Sequence, residues 1–249
     1  MSYRWALEPK WLLSHLFVVG LVVAMLAAGF WQLRRHQERA DRNALIEQRA
    51  DRDAVPLETA LASSDDPGQL QYVRVTVSGA YREQDSVLVA NRTRAGAPGF
   101  WVMSPLEMAG GSEVWVARGF VGRGTVADMG AEVFDAPDGT LEVSGLIQPS
   151  ASGGALAQGD GVPEVNRPDV AVLAEWAGTD NTGVYIQAQS DPSTLFFPID
   201  LPPLDSGPHR GYAAQWFIFS MIAIVGYPLI LRRAARERAG TLTADATSV

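Results

Sequence analysis

Two runs without a formal charge leave this chain few ways to fold. Trp11 to Leu33 (WLLSHLFVVGLVVAMLAAGFWQL) holds 23 uncharged residues, and Tyr212 to Leu231 holds 20. A helix crossing a bilayer needs about 20 such residues, because hydrocarbon offers its backbone no hydrogen-bond partner. A cleaved signal peptide would show an apolar core of roughly 7–15 residues closed by small residues. The first run is longer and ends in the bulky GFWQL, so it reads as an uncleaved anchor. Trp11, Trp31, Tyr212, Trp216 and Tyr227 stand near the run ends, as interfacial aromatics do. Pro228 should bend the second helix near its end. Gly20, Ala24 and Ala28 give the first helix a smooth face that permits close contact with another helix.

Charge sets the expected orientation. Arg4, Lys10, Arg232, Arg233, Arg236 and Arg238 lie on the terminal sides of the runs; Arg34, Arg35, Arg39, Arg42 and Arg210 lie on the inner sides. The first run alone favours the opposite arrangement. The second favours a cytoplasmic C-terminus, and a long domain is translocated largely regardless of its charge. The expected division is a cytoplasmic N-terminus (1–10), a first transmembrane helix (11–33), an extracytoplasmic domain (34–210), a second transmembrane helix (211–231) and a cytoplasmic tail (232–249).

Residues 34–210 carry 25 acidic and 14 basic side chains, net −11. RRHQERADRNALIEQRAD, from Arg34, continues the first helix into water. Alternating segments follow: Gln71 to Gly79, Ser86 to Arg92, Glu113 to Val121, Leu141 to Ile147 and Val184 to Gln189. Each is rich in β-branched or aromatic residues and bounded by turn formers, the pattern of strands. Arg167 to Gly178 reads as a helix, with Pro early and Gly after its end. Ser150 to Gly161 reads as a mobile loop, and RGFVGRG (Arg118 to Gly124) as a turn. The fold class is α+β: two transmembrane helices flanking a β-rich domain, an antiparallel barrel or sandwich of five or six strands.

Chemistry is scarce. The chain has no cysteine, which removes disulfides, thiolate metal sites and covalent haem attachment. Its net charge of −8 disfavours nucleic acid. Between Gln37 and Pro208 there is no histidine, so a Ser-His hydrolase or an imidazole metal site cannot be built there. No phosphate-loop motif is present. The reading is of a non-enzyme. The three histidines, His15, His36 and His209, instead crowd the apolar runs. His209 opens the second helix, sharing a face with Tyr212, Ala213, Trp216, Ser220 and Ala223 by helical spacing. An ionisable group there is either an interfacial anchor or a functional group.

The motifs resemble those of one family. GFWQLRRHQER (Gly29 to Arg39) resembles a G-x-W-Q-x-x-R signature through Gly29, Trp31, Gln32 and Arg35. VLVANRTRAGAPGFWVMSPL (Val87 to Leu106) matches a second block through Asn91, Arg92, Gly99 and Pro105, and VWVARGFV (Val114 to Val121) a third through Arg118 and Gly119. HRGYAAQWFIFS resembles the H-x-x-Y-A-x-Q-W-F opening of a second span, through His209, Tyr212, Ala213, Gln215, Trp216 and Phe217. In this order, between two spans, the blocks are similar to the surfeit-locus (Surf/Shy) cytochrome c oxidase assembly factors. Arg39 stands where a lysine is commoner.

That resemblance implies an assembly factor for haem-copper cytochrome c oxidase in a cell (inner or plasma) membrane, binding haem a and assisting its insertion. His209 is in the position of the proposed axial ligand to haem iron. Arg210, Tyr212 and Trp216 complete the cofactor-binding set, and Arg34 or Arg35 could pair with propionates. His36 lies outside the motif, and a bis-histidine site is the weaker idea. Expected partners are the membrane, the oxidase catalytic subunit and haem a synthase. The alternative is a structural accessory subunit that never touches haem. Arg92 and Arg118 either hold the domain together or meet the oxidase.

Overall fold

The computed structural model describes residues 4–157 and 162–247, with side chains described up to residue 238. It separates into two compact units: residues up to Ala44 together with those from Leu204 onward, and Leu45–Pro203.

The first unit is a helix pair. α1 (Pro9–Arg49) contains the first apolar run and, as its polar continuation predicts, extends well beyond it; α5 (His209–Thr247) begins at His209 and contains the second. Both are long and apolar enough to cross a membrane, and their most apolar windows are only 11% and 6% buried. Leu13, Leu16 and Phe17 on α1 are about 70% exposed, as are Met221 and Ile222 at 64% and 62% on α5. Water would make such a surface unstable, whereas lipid completes it. The face of α1 that meets α5 is not the Gly20-Ala24-Ala28 face, which leaves that smooth face for contact with another helix. Gly20 and Ala24 are exposed, while Met25 and Gly29 are buried. A side chain at Gly29 would stand 2.7 Å from the Phe217 ring, so only glycine allows this approach. The small residue at the α5 contact, Gly29, lies one position beyond that stripe.

The second unit is a β-barrel with short additions. Its strands are β1 (Val55–Pro56), β2 (Arg74–Tyr81), β3 (Val87–Arg94), β4 (Ala97–Met108), β5 (Glu113–Gly122), β6 (Leu141–Pro149), β7 (Leu156–Ala157), β8 (Glu164–Val165) and β9 (Val184–Ala188). The sheet order is β1-β2-β6-β9-β5-β4-β3-β8-β7, and β4 also pairs with β2. Strands β2, β6, β9, β5 and β4 therefore close on themselves. Alternate residues fill the interior: Val75 and Val77, Val143 and Ile147, Val184 and Ile186, Val114 and Val116, with Leu57 from α2 (Leu57–Leu61). The opposite faces of β5 and β9 are covered too, Trp115, Ala117 and Tyr185 packing with Val170 and Leu173 of α4 (Val170–Ala177). Burial on both faces explains why β5 reads as an almost unbroken apolar run. Gly178 caps α4 with φ +66°.

Four expectations change. The barrel is not wholly antiparallel, because β5 pairs with β9 in parallel, Trp115 opposite Tyr185. β4 carries two prolines that disguise it. Pro105 sits where β4 passes from β3 (pairing through Met103) to β2 (pairing from Leu106), a gap that needs no donor on that side. Arg118 to Gly124 is no turn: β5 runs through Gly122, and α3 (Arg123–Met129) starts directly after it. Part of the loop from Ser150 is tied down, since β7 pairs with β8, Gly154 N–H donates to Asp169 and Val170 N–H donates to Ser150. The end of that loop, 158–161, lies outside the described residues.

Candidate functional site

His209 caps the start of α5, and its Nδ1 lies 2.8 Å from Gln32 Oε1 on α1. The two residues are 177 positions apart and belong to separate sequence blocks. With the amide oxygen as acceptor, Nδ1 carries the proton, which leaves the lone pair on Nε2. A histidine that is to bind a metal needs this arrangement: one nitrogen held by a second residue, the other basic and free. Gly207 lies against that side of the ring, with the Arg39 guanidinium also near it. This glycine adopts φ +60°, and a Cβ there would come within 3.3 Å of Nε2.

The segment leading into α5 is fastened to the polar part of α1. Arg39 pairs with Asp205 at 2.7 Å, Asn43 donates to the Asp205 carbonyl at 3.0 Å, and His36 Nδ1 lies 3.4 Å from the Ser206 carbonyl. These bonds fix the backbone just before His209, and they show what Arg39 does. Of the other expected site residues, Arg210 and Tyr212 are exposed and Trp216 is 36% exposed, while Ala213 and Ser220 on the same helix are buried. The aromatic flank beside His209 is thus open. Arg35 is engaged with Glu38 at 2.8 Å; Arg34 and Arg210 form no ion pair among the described residues.

The remaining histidines differ in kind. His15 Nε2 donates to the Ala6 carbonyl (3.0 Å), and its Nδ1 accepts from the Tyr227 hydroxyl (2.6 Å), which in turn accepts from Ser14 (3.0 Å). Both ring nitrogens are spent, which is how a histidine is accommodated inside an apolar run. His36 does not bond His209; its ring turns to Ser206. No group of three or more metal-ligating side chains exists among the described residues.

The model of the SURF1 family matches residues 19–221 of this sequence. The chain belongs to the SURF1 family. An uncharacterized SURF1-like protein of Mycobacterium tuberculosis is 30% identical over 250 residues, covering 96% of this chain and 91% of that protein. Mycobacterium bovis has one with the same figures. A SURF1-like protein of Monosiga brevicollis is 25% identical over 244 residues, covering 90% and 89%.

The SURF1 motif residues within the barrel divide by environment. Arg118 is fully buried, paired with Asp191 at 2.9 Å, and donates to the carbonyls of Phe134 (2.6 Å) and Asp135 (3.0 Å). Tyr81 and Phe196 sandwich it at 4.5 and 4.9 Å. Gly119 beside it lets Phe196 and the Phe197 carbonyl approach to under 3 Å of where a Cβ would be. This arginine holds the barrel together. Arg92 instead lies 4.1 Å over Trp101, with its Nε unpaired, and burial lowers its pKa from the ordinary value. Asn91 takes φ +58° at a bulge in β3, a conformation asparagine tolerates better than most. Burial pushes the Tyr185 phenol up to about 12, and that of Tyr81 higher still.

Gln32 is the residue that sequence reasoning did not assign. Its signal was present: a polar amide one residue from the end of an apolar run, inside a motif block.

Proposed function

We propose that this protein is an assembly factor for a haem-copper cytochrome c oxidase, and that it holds haem a at the start of α5. Family membership supports the oxidase setting, and the SURF1 resemblance supplies the cofactor. The observation that carries the local reading is the Gln32–His209 hydrogen bond, which leaves the Nε2 lone pair available, next to a glycine that adds no side chain of its own. His209 would supply the axial nitrogen. Arg210 is free to offer charge-assisted hydrogen bonds to a propionate. Tyr212 and Trp216 present apolar surface next to it. A haem so placed keeps its charged groups near the polar boundary and its hydrocarbon tail against apolar helix, avoiding the cost of carboxylates in lipid. The barrel, without histidine, cysteine or a metal cluster among its described residues, acts by surface rather than by chemistry.

In the same proposal the barrel is extracytoplasmic, the termini are cytoplasmic, and the partner is the oxidase catalytic subunit. An alkaline phosphatase fused after Gly139 is expected to be active; a silent fusion reverses the topology. For the ligand, wild type and His209→Ala are purified from cells making haem a and their visible spectra compared. Wild type should retain haem a and the variant should lose it while still reaching the membrane. Equal haem content in the two would remove His209 as ligand and leave it as a helix anchor.

A further inference from the structure

The last turn of α1 borders a cavity of about 290 Å3 in the barrel unit, whose lining includes Arg49, Arg52, Arg74, Ser63, Ser64 and Asp53. Three arginines line it, in a domain of strongly negative net charge. Two are held in place by neutral acceptors. Arg49 Nη1 donates to the carbonyls of Gln69 (2.6 Å) and Gln71 (2.9 Å). Arg74 donates through Nε to the Ala50 carbonyl (2.8 Å) and through Nη1 to Gln189 Oε1 (2.5 Å). Carbonyl and amide oxygens orient a guanidinium but do not neutralise it.

Elsewhere in the barrel, the half-exposed Arg82 pairs with Glu113 and Asp85, and the buried Arg118 pairs with Asp191. Arg49, Arg52 and Arg74 have no ion pair among the described residues, although Asp53 lies on the same cavity wall. Arg52 is exposed, and while its backbone N–H donates to the Arg49 carbonyl at 3.3 Å, its side chain makes no hydrogen bond or ion pair among the described residues. Arg49 keeps Nε and Nη2 uncommitted. The Ser64 hydroxyl accepts from Asp66 N–H at 3.1 Å and donates to Gln69 Oε1 at 3.4 Å, and the Ser63 hydroxyl donates to the Ala60 carbonyl at 2.6 Å, so the uncommitted donors are those of the arginines.

We propose that this cavity binds a phosphate group. A carboxylate offers two oxygens in one plane, whereas several arginine cations lining one hollow suit a tetrahedral oxyanion with oxygens on several sides. The space is several times the roughly 30 Å3 that one water occupies in the liquid, enough for a phosphoryl group and its retained waters. The group is either free phosphate or the headgroup of an anionic lipid. This site is independent of His209 and of the haem reading.

The test uses the full-length protein in detergent, titrated calorimetrically with inorganic phosphate at constant ionic strength, with chloride as control. A second arm uses nanodiscs with and without phosphatidylglycerol, counting retained lipid by native mass spectrometry. Wild type should bind one of these probes saturably. Arg52→Gln, which removes no side-chain hydrogen bond or ion pair among the described residues, should weaken that binding about tenfold, as expected for a lost charged hydrogen bond, with unchanged thermal melting. Arg49→Gln should weaken it as well. Phosphate binding in detergent identifies a soluble ligand; retention of phosphatidylglycerol alone identifies a lipid headgroup. Binding of neither probe, or equal binding by wild type and both variants, overturns the proposal.

Discussion

The barrel and the helix pair solve the same problem with opposite means. In the barrel, the most deeply buried arginine has a full set of partners: Arg118 has a carboxylate, two carbonyls and two aromatic faces. In the helix pair, large apolar side chains stay outside, and polar groups are few and paired across the helices, as His15 is with Tyr227 and Gln32 with His209. The barrel thus carries its own core, while the helix pair borrows its surroundings. Disturbances should follow that line: barrel lesions should cost folding stability, and helix-pair lesions should cost the site.

The most damaging change should be Arg118→Ala. It strands Asp191 in an apolar interior and should destabilise the barrel by about 3–5 kcal/mol. Urea unfolding followed by tryptophan fluorescence measures this, and adding Asp191→Asn to Arg118→Ala should restore part of the loss. A wild-type midpoint in the single variant would mean that the barrel does not depend on its buried pair.

Alkaline titration should have a smaller effect. Tyr185 in the folded barrel ionises near pH 12, above its ordinary 10.0. The unfolded chain therefore releases its proton first, so this contribution is complete below pH 10 and declines as pH rises toward 12, by about 1.4 kcal/mol per unit. Tyr81 adds in the same direction. Tyr185→Phe should flatten the decline in a pH series of melting curves; an unchanged slope would assign it to other groups.

Gln32→Leu should have the smallest effect and the most selective one. It removes a single hydrogen bond worth about 1 kcal/mol, roughly fivefold in binding. Haem a retained after purification should fall by that factor, with the barrel's urea midpoint unmoved. A shift in the midpoint would show that the two regions are not energetically separate.

Much of this was legible in the sequence, and the illegible parts share a cause. Five strands showed themselves by alternation, and both long helices by uncharged length, because these signals are local. β4 was hidden by Pro98 and Pro105, whose tolerance depends on which neighbour each position pairs with. Arg118 looked like a turn residue beside glycine, since nothing within several positions announces Asp191. His209 stood out by type and place. Its orientation did not, because it depends on an amide 177 residues away and on how the helices rotate against each other. Gly29 shows how fine that rotation is: a stripe one residue off would have pointed Gln32 elsewhere.

The parallel pairing of β5 with β9 also governs timing. β9 lies between β5 and β6, so the barrel stays open until Ala188 has been made. At about 5–20 residues per second, the roughly 66 residues from Gly122 to Ala188 take about 3–13 s to synthesise. For that interval β5, which the finished fold buries along nearly its whole length, has one bare edge, the condition in which nascent sheets join the wrong partner. The closing strand also precedes the second apolar helix by only about 20 residues. Synthesis therefore seals the barrel first and delivers His209 to Gln32 last.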